Sequence, residues 1–206
     1  MDEKETRFSS NNLELEGLLN LLPGEKGVVV THPHPLYGGD MKNAVVESLI
    51  RVFLQEGFTT LRFNFRGVGG SQGEYDQGQG EQTDVRSALK YMTQREKREI
   101  SLVGYSFGAW VNVLAGTAQE EVQKMLMISP PVAFLDFSSV TSIPQLELVI
   151  AGDRDQIAPP NLIETMLPVW NPAARLEVIE GADHFYGGYI GRLESIITAH
   201  LKSEPV

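Results

Sequence analysis

The sequence predicts an α/β fold, a mostly parallel central sheet with helices on both faces. Two observations carry the prediction. From residue 27 onward, short aliphatic or β-branched runs alternate with stretches of helical periodicity. At one strand-to-helix junction stands Ser106, in the segment Gly104-Tyr105-Ser106-Phe107-Gly108. Composition sets the bounds. With 206 residues and 42% hydrophobic content, residues 1–206 suit one domain with a sizeable core. N-terminal strands are expected at about 5–22 and the core at about 25–203.

The elements follow in order. Residues 5 to 22 alternate loosely, as in Leu13-Glu14-Leu15-Glu16-Gly17-Leu18, and predict a strand pair leading into the domain. Gly27-Val28-Val29-Val30-Thr31 is a β-branched strand closed by Pro33 and Pro35. Ala44 to Leu54 has helical spacing, with Val45, Leu49 and Val52 on one face. Phe58 to Phe63 reads as the next strand. A glycine-rich loop follows, and Gln82 to Lys97 predicts a helix with Val85, Leu89 and Met92 on its apolar stripe. Glu99 to Val103 is a buried strand that runs into the Ser106 segment, and Ala109 to Gly116 continues it as a helix. Lys124 to Ile128 is a strand ended by Ser129-Pro130-Pro131. Leu146 to Ala151 and Arg175 to Ile179 are further strands, with a short helix from Leu162 to Leu167 between them. Ile190, Leu193, Ile197 and Leu201 mark a final helix.

Charge and cysteine content narrow the function classes. The chain has no cysteine, which excludes disulfides, thiolate metal sites and a cysteine nucleophile. That fits a cytoplasmic protein. Met1-Asp2-Glu3-Lys4-Glu5 is acidic and lacks the apolar core of a signal peptide. No apolar run approaches membrane-spanning length. The formal net charge of −10 repels nucleic acid and anionic lipid, so neither is an expected partner.

The Ser106 segment matches G-x-S-x-G. A strand that turns sharply into a helix at a serine is a nucleophile elbow. The turn strains the serine backbone and leaves no room for side chains two residues away, a need that Gly104 and Gly108 meet. The helix N-terminus favours negative charge and frees the Phe107 N–H for a developing oxyanion. Gly69-Gly70-Ser71-Gln72-Gly73 matches the same pattern but follows no apolar strand. It leads into a glycine-rich stretch unsuited to a helix, so Ser71 reads as a loop serine. Gly67 to Gly73 also lacks the Lys-Ser/Thr of a phosphate-binding loop.

A serine nucleophile needs a base, and His32, His34, His184 and His200 are the four histidines. His200 falls in the last turn of the terminal helix, where a solvated side chain is expected. His184, in Gly181-Ala182-Asp183-His184-Phe185, follows the last strand and is the expected base. The acid that orients it is sought in Gly152-Asp153-Arg154-Asp155 after the preceding strand. Asp155 is preferred; Asp153 stays open as a turn cap, a partner of Arg154 or the acid itself. The second oxyanion donor is expected from Thr31-His32-Pro33-His34-Pro35. The prolines lack an N–H and stiffen the loop, while His34 between them keeps its own. A His-x-His metal site would have only two ligands, so no metal is expected. His32 is expected to hold the loop by hydrogen bonds.

These segments together resemble the α/β-hydrolase superfamily, and most closely its small lidless serine esterases, relatives of the dienelactone hydrolases. The segments are His32-Pro33-His34-Pro35, Asn64-Phe65-Arg66-Gly67-Val68-Gly69-Gly70-Ser71, Gly104 to Gly108, the Asp155 loop and the Asp183-His184 loop. The resemblance spans roughly residues 25 to 203. It implies an α/β-hydrolase fold without a cap domain, a triad in the order Ser106, Asp155, His184, and no cofactor. It also implies that the Arg66-Gly67 loop borders the active site. Dienelactone hydrolases proper use a cysteine, which this chain lacks. The stretch from Val132 to Ile143 is too short for a helical lid, which points to small soluble esters or thioesters. The expected activity is hydrolysis of short-chain carboxylic esters. A thioesterase, amidase or small peptidase with the same triad is the alternative, and a non-catalytic binding protein of the same fold is a third reading.

Overall fold

The computed structural model describes residues 3–117 and 119–203. Strands β1 (Lys4–Ser10) and β2 (Leu13–Asn20) form the expected antiparallel hairpin, and β2 pairs antiparallel with β4 (Thr59–Phe63). All later pairings are parallel. They join β4 to β3 (Lys26–Thr31), β3 to β5 (Glu99–Tyr105), β5 to β6 (Val122–Ile128), β6 to β7 (Leu146–Gly152) and β7 to β8 (Arg175–Ile179). The sheet order is β1-β2-β4-β3-β5-β6-β7-β8.

Two cores flank the sheet. Helices α1 (Ala44–Gln55) and α5 (Ile190–Lys202) cover one face. Helices α2 (Gln79–Thr93), α3 (Phe107–Gly116) and α4 (Pro160–Trp170) cover the other. The run Val28-Val29-Val30 shows why continuous apolar strands are needed here. Val28 and Val30 enter the α1/α5 core, Val29 enters the opposite core, and all three are fully buried. Chain order reverses between β3, which leads left to β4, and β5, which lies on its right. A crevice opens at such a switch point, outside the carboxyl ends of the strands. Between β6 and β7 the chain passes through turns and bends without a helix, so the fold has no cap. Among the described residues no helix is long and apolar enough to cross a membrane.

Three local expectations need correction. Helix α2 begins at Gln79, not Gln82, and ends at Thr93, not Lys97. Its start is fixed by the buried Glu81 carboxylate, which accepts from the N–H groups of Asp76 and Gly78 at 2.8 Å each. Helix α4 continues through Pro168 to Trp170, because Trp170 is buried against Phe137 with ring centroids 5.3 Å apart. His200 is buried rather than solvated. Its Nδ1 accepts from Arg175 at 2.9 Å and its Nε2 donates to Glu147 at 3.1 Å.

Candidate active site

Strand β5 ends at Tyr105, and α3 starts at Phe107. Ser106 is the whole of the turn, with φ 54° and ψ −119°. A non-glycine residue in that region costs about 1–3 kcal/mol and persists only where neighbours hold it. The Ser106 N–H donates to Ile128 O at 2.8 Å, and its carbonyl accepts from Ala109 N at 2.9 Å. A Cβ on Gly104 would run into the backbone of Ala109, and one on Gly108 would lie 2.7 Å from Thr31 O. Both glycines of the motif are therefore required by close backbone approach.

Beyond β7 and β8, two loops meet over the serine. Ser106 Oγ lies 2.9 Å from His184 Nε2. His184 Nδ1 lies 2.8 Å from Asp155 Oδ2 and 3.0 Å from Oδ1. All three residues are buried. Nδ1 must carry the proton to donate to the carboxylate, which leaves Nε2 free to accept from the serine hydroxyl. Burial works against charge on Asp155. The hydrogen bonds from His184, Ala158 N–H and the Ser129 hydroxyl outweigh it and hold the carboxyl below the ordinary aspartate value. Asp153 sits elsewhere: its Oδ1 accepts from Gly181 N at 2.6 Å and so ties the β7 loop to the β8 loop. The geometry pairs Asp155, not Asp153, with the imidazole.

The loop after β3 brings His34 to the same place, since Thr31 pairs with Gly104 in the sheet. His34 (φ −59°) caps a 3-10 turn, Pro35–Tyr37, and its Nδ1 accepts from Leu36 N at 3.2 Å. Its Nε2–H donates to Tyr75 Oη at 3.2 Å, and burial lowers its pKa. The ring packs on Phe107 at 4.8 Å between centroids. Neither the His34 nor the Phe107 N–H has a hydrogen-bond acceptor among the described residues, and both residues line the cleft beside Ser106. His32 is fully buried. Its Nδ1–H donates to Pro33 O at 2.7 Å, and its Nε2 accepts from Phe65 N at 3.0 Å. It clamps this loop to the end of β4 as a neutral imidazole, with a pKa lowered by burial to about 4.

Ser71 lies outside the cleft. Its hydroxyl donates to Asn64 O at 2.7 Å and accepts from Glu16 N at 3.1 Å, which pins the glycine-rich loop to β2. Arg66 anchors the same loop on Asp84, a fully buried carboxylate, at 2.8 Å. The loop reaches the site through Tyr75, which meets His34 and Phe107. Tyr105 escaped the sequence reading. Its hydroxyl donates to His184 O at 2.8 Å and so fixes the backbone of the histidine. The aromatic residue inside the G-x-S-x-G segment was the available signal. Ser129 and Tyr186 were also missed; both take positive φ behind Asp155, with their hydroxyls 2.7 Å apart. Nothing in the sequence brings these two positions together.

The cleft above the serine has a volume of about 620 Å³ and is open to solvent. Its walls are apolar and aromatic, including Pro33, Tyr37, Pro131, Phe134, Ile157 and Phe185. Among the described residues, no Asp, Glu, Lys or Arg lines it.

A doubly wound sheet with a serine at such an elbow, and a histidine after the last strand, places the chain in the α/β-hydrolase superfamily. Residues 5–146 match the family model for X-Pro dipeptidyl-peptidase (S15 family), and the chain belongs to that family. It is 37% identical over 174 residues to an uncharacterized protein of Rickettsia prowazekii, covering 80% of this chain and 73% of that one. It is similar to an α/β serine hydrolase homologue from Coxiella burnetii, with a TM-score of 0.90, 31% identity and 98% of each chain covered. It also resembles an α/β serine hydrolase without lid from Xanthomonas campestris, with a TM-score of 0.88, 30% identity, and 100% and 98% of the two chains covered.

Proposed function

We propose that this hydrolase cleaves short-chain carboxylic esters through Ser106, His184 and Asp155 and an acyl-enzyme intermediate. One observation carries the reading: the relay from Ser106 Oγ through His184 to Asp155, at 2.9 and 2.8 Å, on the floor of an open apolar cleft. Ser106 Oγ attacks the acyl carbon as its proton passes to His184 Nε2. The carbonyl electrons move to oxygen, which accepts from the N–H groups of Phe107 and His34. One such donor is worth about 2.7–4 kcal/mol. Asp155 balances the imidazolium. Collapse breaks the bond to the alcohol, which leaves with the proton from Nε2. Water then attacks the acyl-enzyme with His184 as base, the acid departs, and Ser106 regains its proton. A soluble small-molecule ester in the cytoplasm is the expected setting, with no nucleic-acid or membrane partner.

The family description favours a second reading, cleavage of peptides after X-Pro. A dipeptidyl-peptidase must hold the ammonium of its substrate's N-terminus, a charge that needs a partner when desolvated. Among the described residues no carboxylate lines this cleft, and Asp155 is engaged by His184 and the N–H groups of Ile157 and Ala158. An ester makes no such demand.

The test compares p-nitrophenyl esters of graded acyl length with an X-Pro p-nitroanilide. Acetyl to butyryl esters should be preferred, because each acyl methylene beyond an open cleft forfeits up to about 0.8 kcal/mol of binding. The anilide should react far more slowly. A kcat/KM that keeps rising through decanoyl esters contradicts the short-chain reading, and faster cleavage of the anilide selects the peptidase.

A further inference from the structure

We propose that the substrate carries an uncharged aromatic ring, held by a rim of three aromatic side chains, Tyr37, Phe134 and Phe185. The inference rests on the ester-hydrolase reading and names its substrate class. Three observations converge on it.

First, large aromatic side chains are costly to leave in water, and those most exposed among the described residues stand together. Tyr37 is 88% exposed, Phe134 72% and Phe185 71%, and all three line the cleft that contains Ser106. A grouped apolar patch of this kind marks a binding surface rather than scattered surface residues.

Second, the three come from separate loops, each held by a hydrogen bond from the aromatic residue's own backbone N–H. Tyr37 N donates to His34 O at 3.1 Å within the 3-10 turn. Phe134 N donates to Pro131 O at 3.0 Å, and the neighbouring Ala133 N donates to Ile157 O at 3.2 Å. The same segment is tied down further along, where Trp110 Nε1 donates to Asp136 O at 2.9 Å. Phe185 N donates to Asp183 Oδ1 at 3.0 Å, and its ring stands edge-on to His184. A ring on a locked turn offers a face at little entropic cost, as rigid aromatic anchors do elsewhere.

Third, among the described residues no Asp, Glu, Lys or Arg lines the walls. A carboxylated or ammonium-bearing substituent would give up part of its hydration there without meeting an opposite charge.

The experiment uses pairs that differ only in aromaticity. Benzyl acetate against cyclohexylmethyl acetate places the ring on the alcohol side. Methyl 3-phenylpropanoate against methyl 3-cyclohexylpropanoate places it on the acyl side. The cyclohexyl partner is at least as apolar, so bare hydrophobicity does not favour the aromatic member. Each ring-on-ring contact contributes roughly 2- to 10-fold. In at least one pair the aromatic member should lead by about 5-fold or more in kcat/KM. That ratio should fall toward one in Tyr37→Ala, Phe134→Ala and Phe185→Ala combined. A 4-carboxybenzyl acetate should be poorer than benzyl acetate.

Ratios near one in both pairs overturn the proposal, as does a preference that survives loss of all three rings or a lead for the carboxylated ester. A fluorophosphonate adduct measured alongside separates the two levels of the argument. A labelled protein with no aromatic preference sinks the substrate class alone, whereas an unlabelled protein sinks the hydrolase reading beneath it. Folding of the triple variant is checked by the same labelling.

Discussion

At Ser106 the chain accepts a strained backbone to lift one hydroxyl toward one imidazole, and the acid behind that imidazole can be tested directly. Asp155→Asn keeps the shape but no longer supplies the carboxylate that holds the Nδ1 proton of His184. By analogy with serine proteases, kcat should fall on the order of 10⁴-fold. Asp153→Asn replaces the charged acceptor of Gly181 N with a neutral amide oxygen, which weakens that bond, and should act mainly on stability. Steady-state kinetics on the two folded variants rank them, and the reverse order would move the acid to Asp153. His32 gives a second test, on stability against pH. Burial lowers its pKa from 6.5 to about 4, so the unfolded chain takes up a proton near pH 6.5 that the folded chain refuses until about pH 4. His32 makes no such demand above pH 6.5. As pH falls through that window, folding stability should drop by up to about 3 kcal/mol on its account. Urea unfolding from pH 7 to 4 should show a shallower loss in His32→Gln than in the parent protein, and equal slopes would contradict the assignment.

At the scale of elements, the loop after β3 and the N-terminus of α3 supply the two free N–H groups. His34 already has φ −59°, the value proline imposes, so His34→Pro removes the N–H with little change in φ. His34→Ala removes the imidazole and keeps the N–H. We expect kcat of the proline variant to fall about 10²–10³-fold, and that of the alanine variant to fall far less. Equal losses would assign His34 a packing role instead. The elements themselves were largely legible. Alternation revealed the hairpin, β-branched runs revealed β3, and helical spacing revealed α1 and α5. What failed was decided by partners distant in sequence. Propensity forbids starting a helix at Gly78-Gln79-Gly80, yet Trp110 fills the space where a Gly78 side chain would stand and Arg66 fills it at Gly80. Pro168 should have ended α4, but burial of Trp170 prevailed. His200 looked solvated because Glu147 and Arg175 lie on other strands.

At the scale of the whole molecule, the parallel sheet gathers the loops after β3, β6, β7 and β8 around Ser106 at the end of β5. The five segments that suggested the fold are those the sheet brings to its carboxyl edge, or braces that edge with, as Ser71 does. Their order in the chain was readable because each strand-loop-helix unit is local. The cleft's aromatic rim was not readable, since Tyr37, Phe134 and Phe185 meet only once the sheet is built. Lacking a cap, the molecule leaves Ser106 within reach of small reagents. The most direct test of the account is the mass of the intact protein after reaction with a fluorophosphonate, followed by peptide mapping. The account predicts one adduct, on Ser106, absent in Ser106→Ala and retained in Ser71→Ala. An adduct on Ser71, or no adduct on a folded protein, would contradict it.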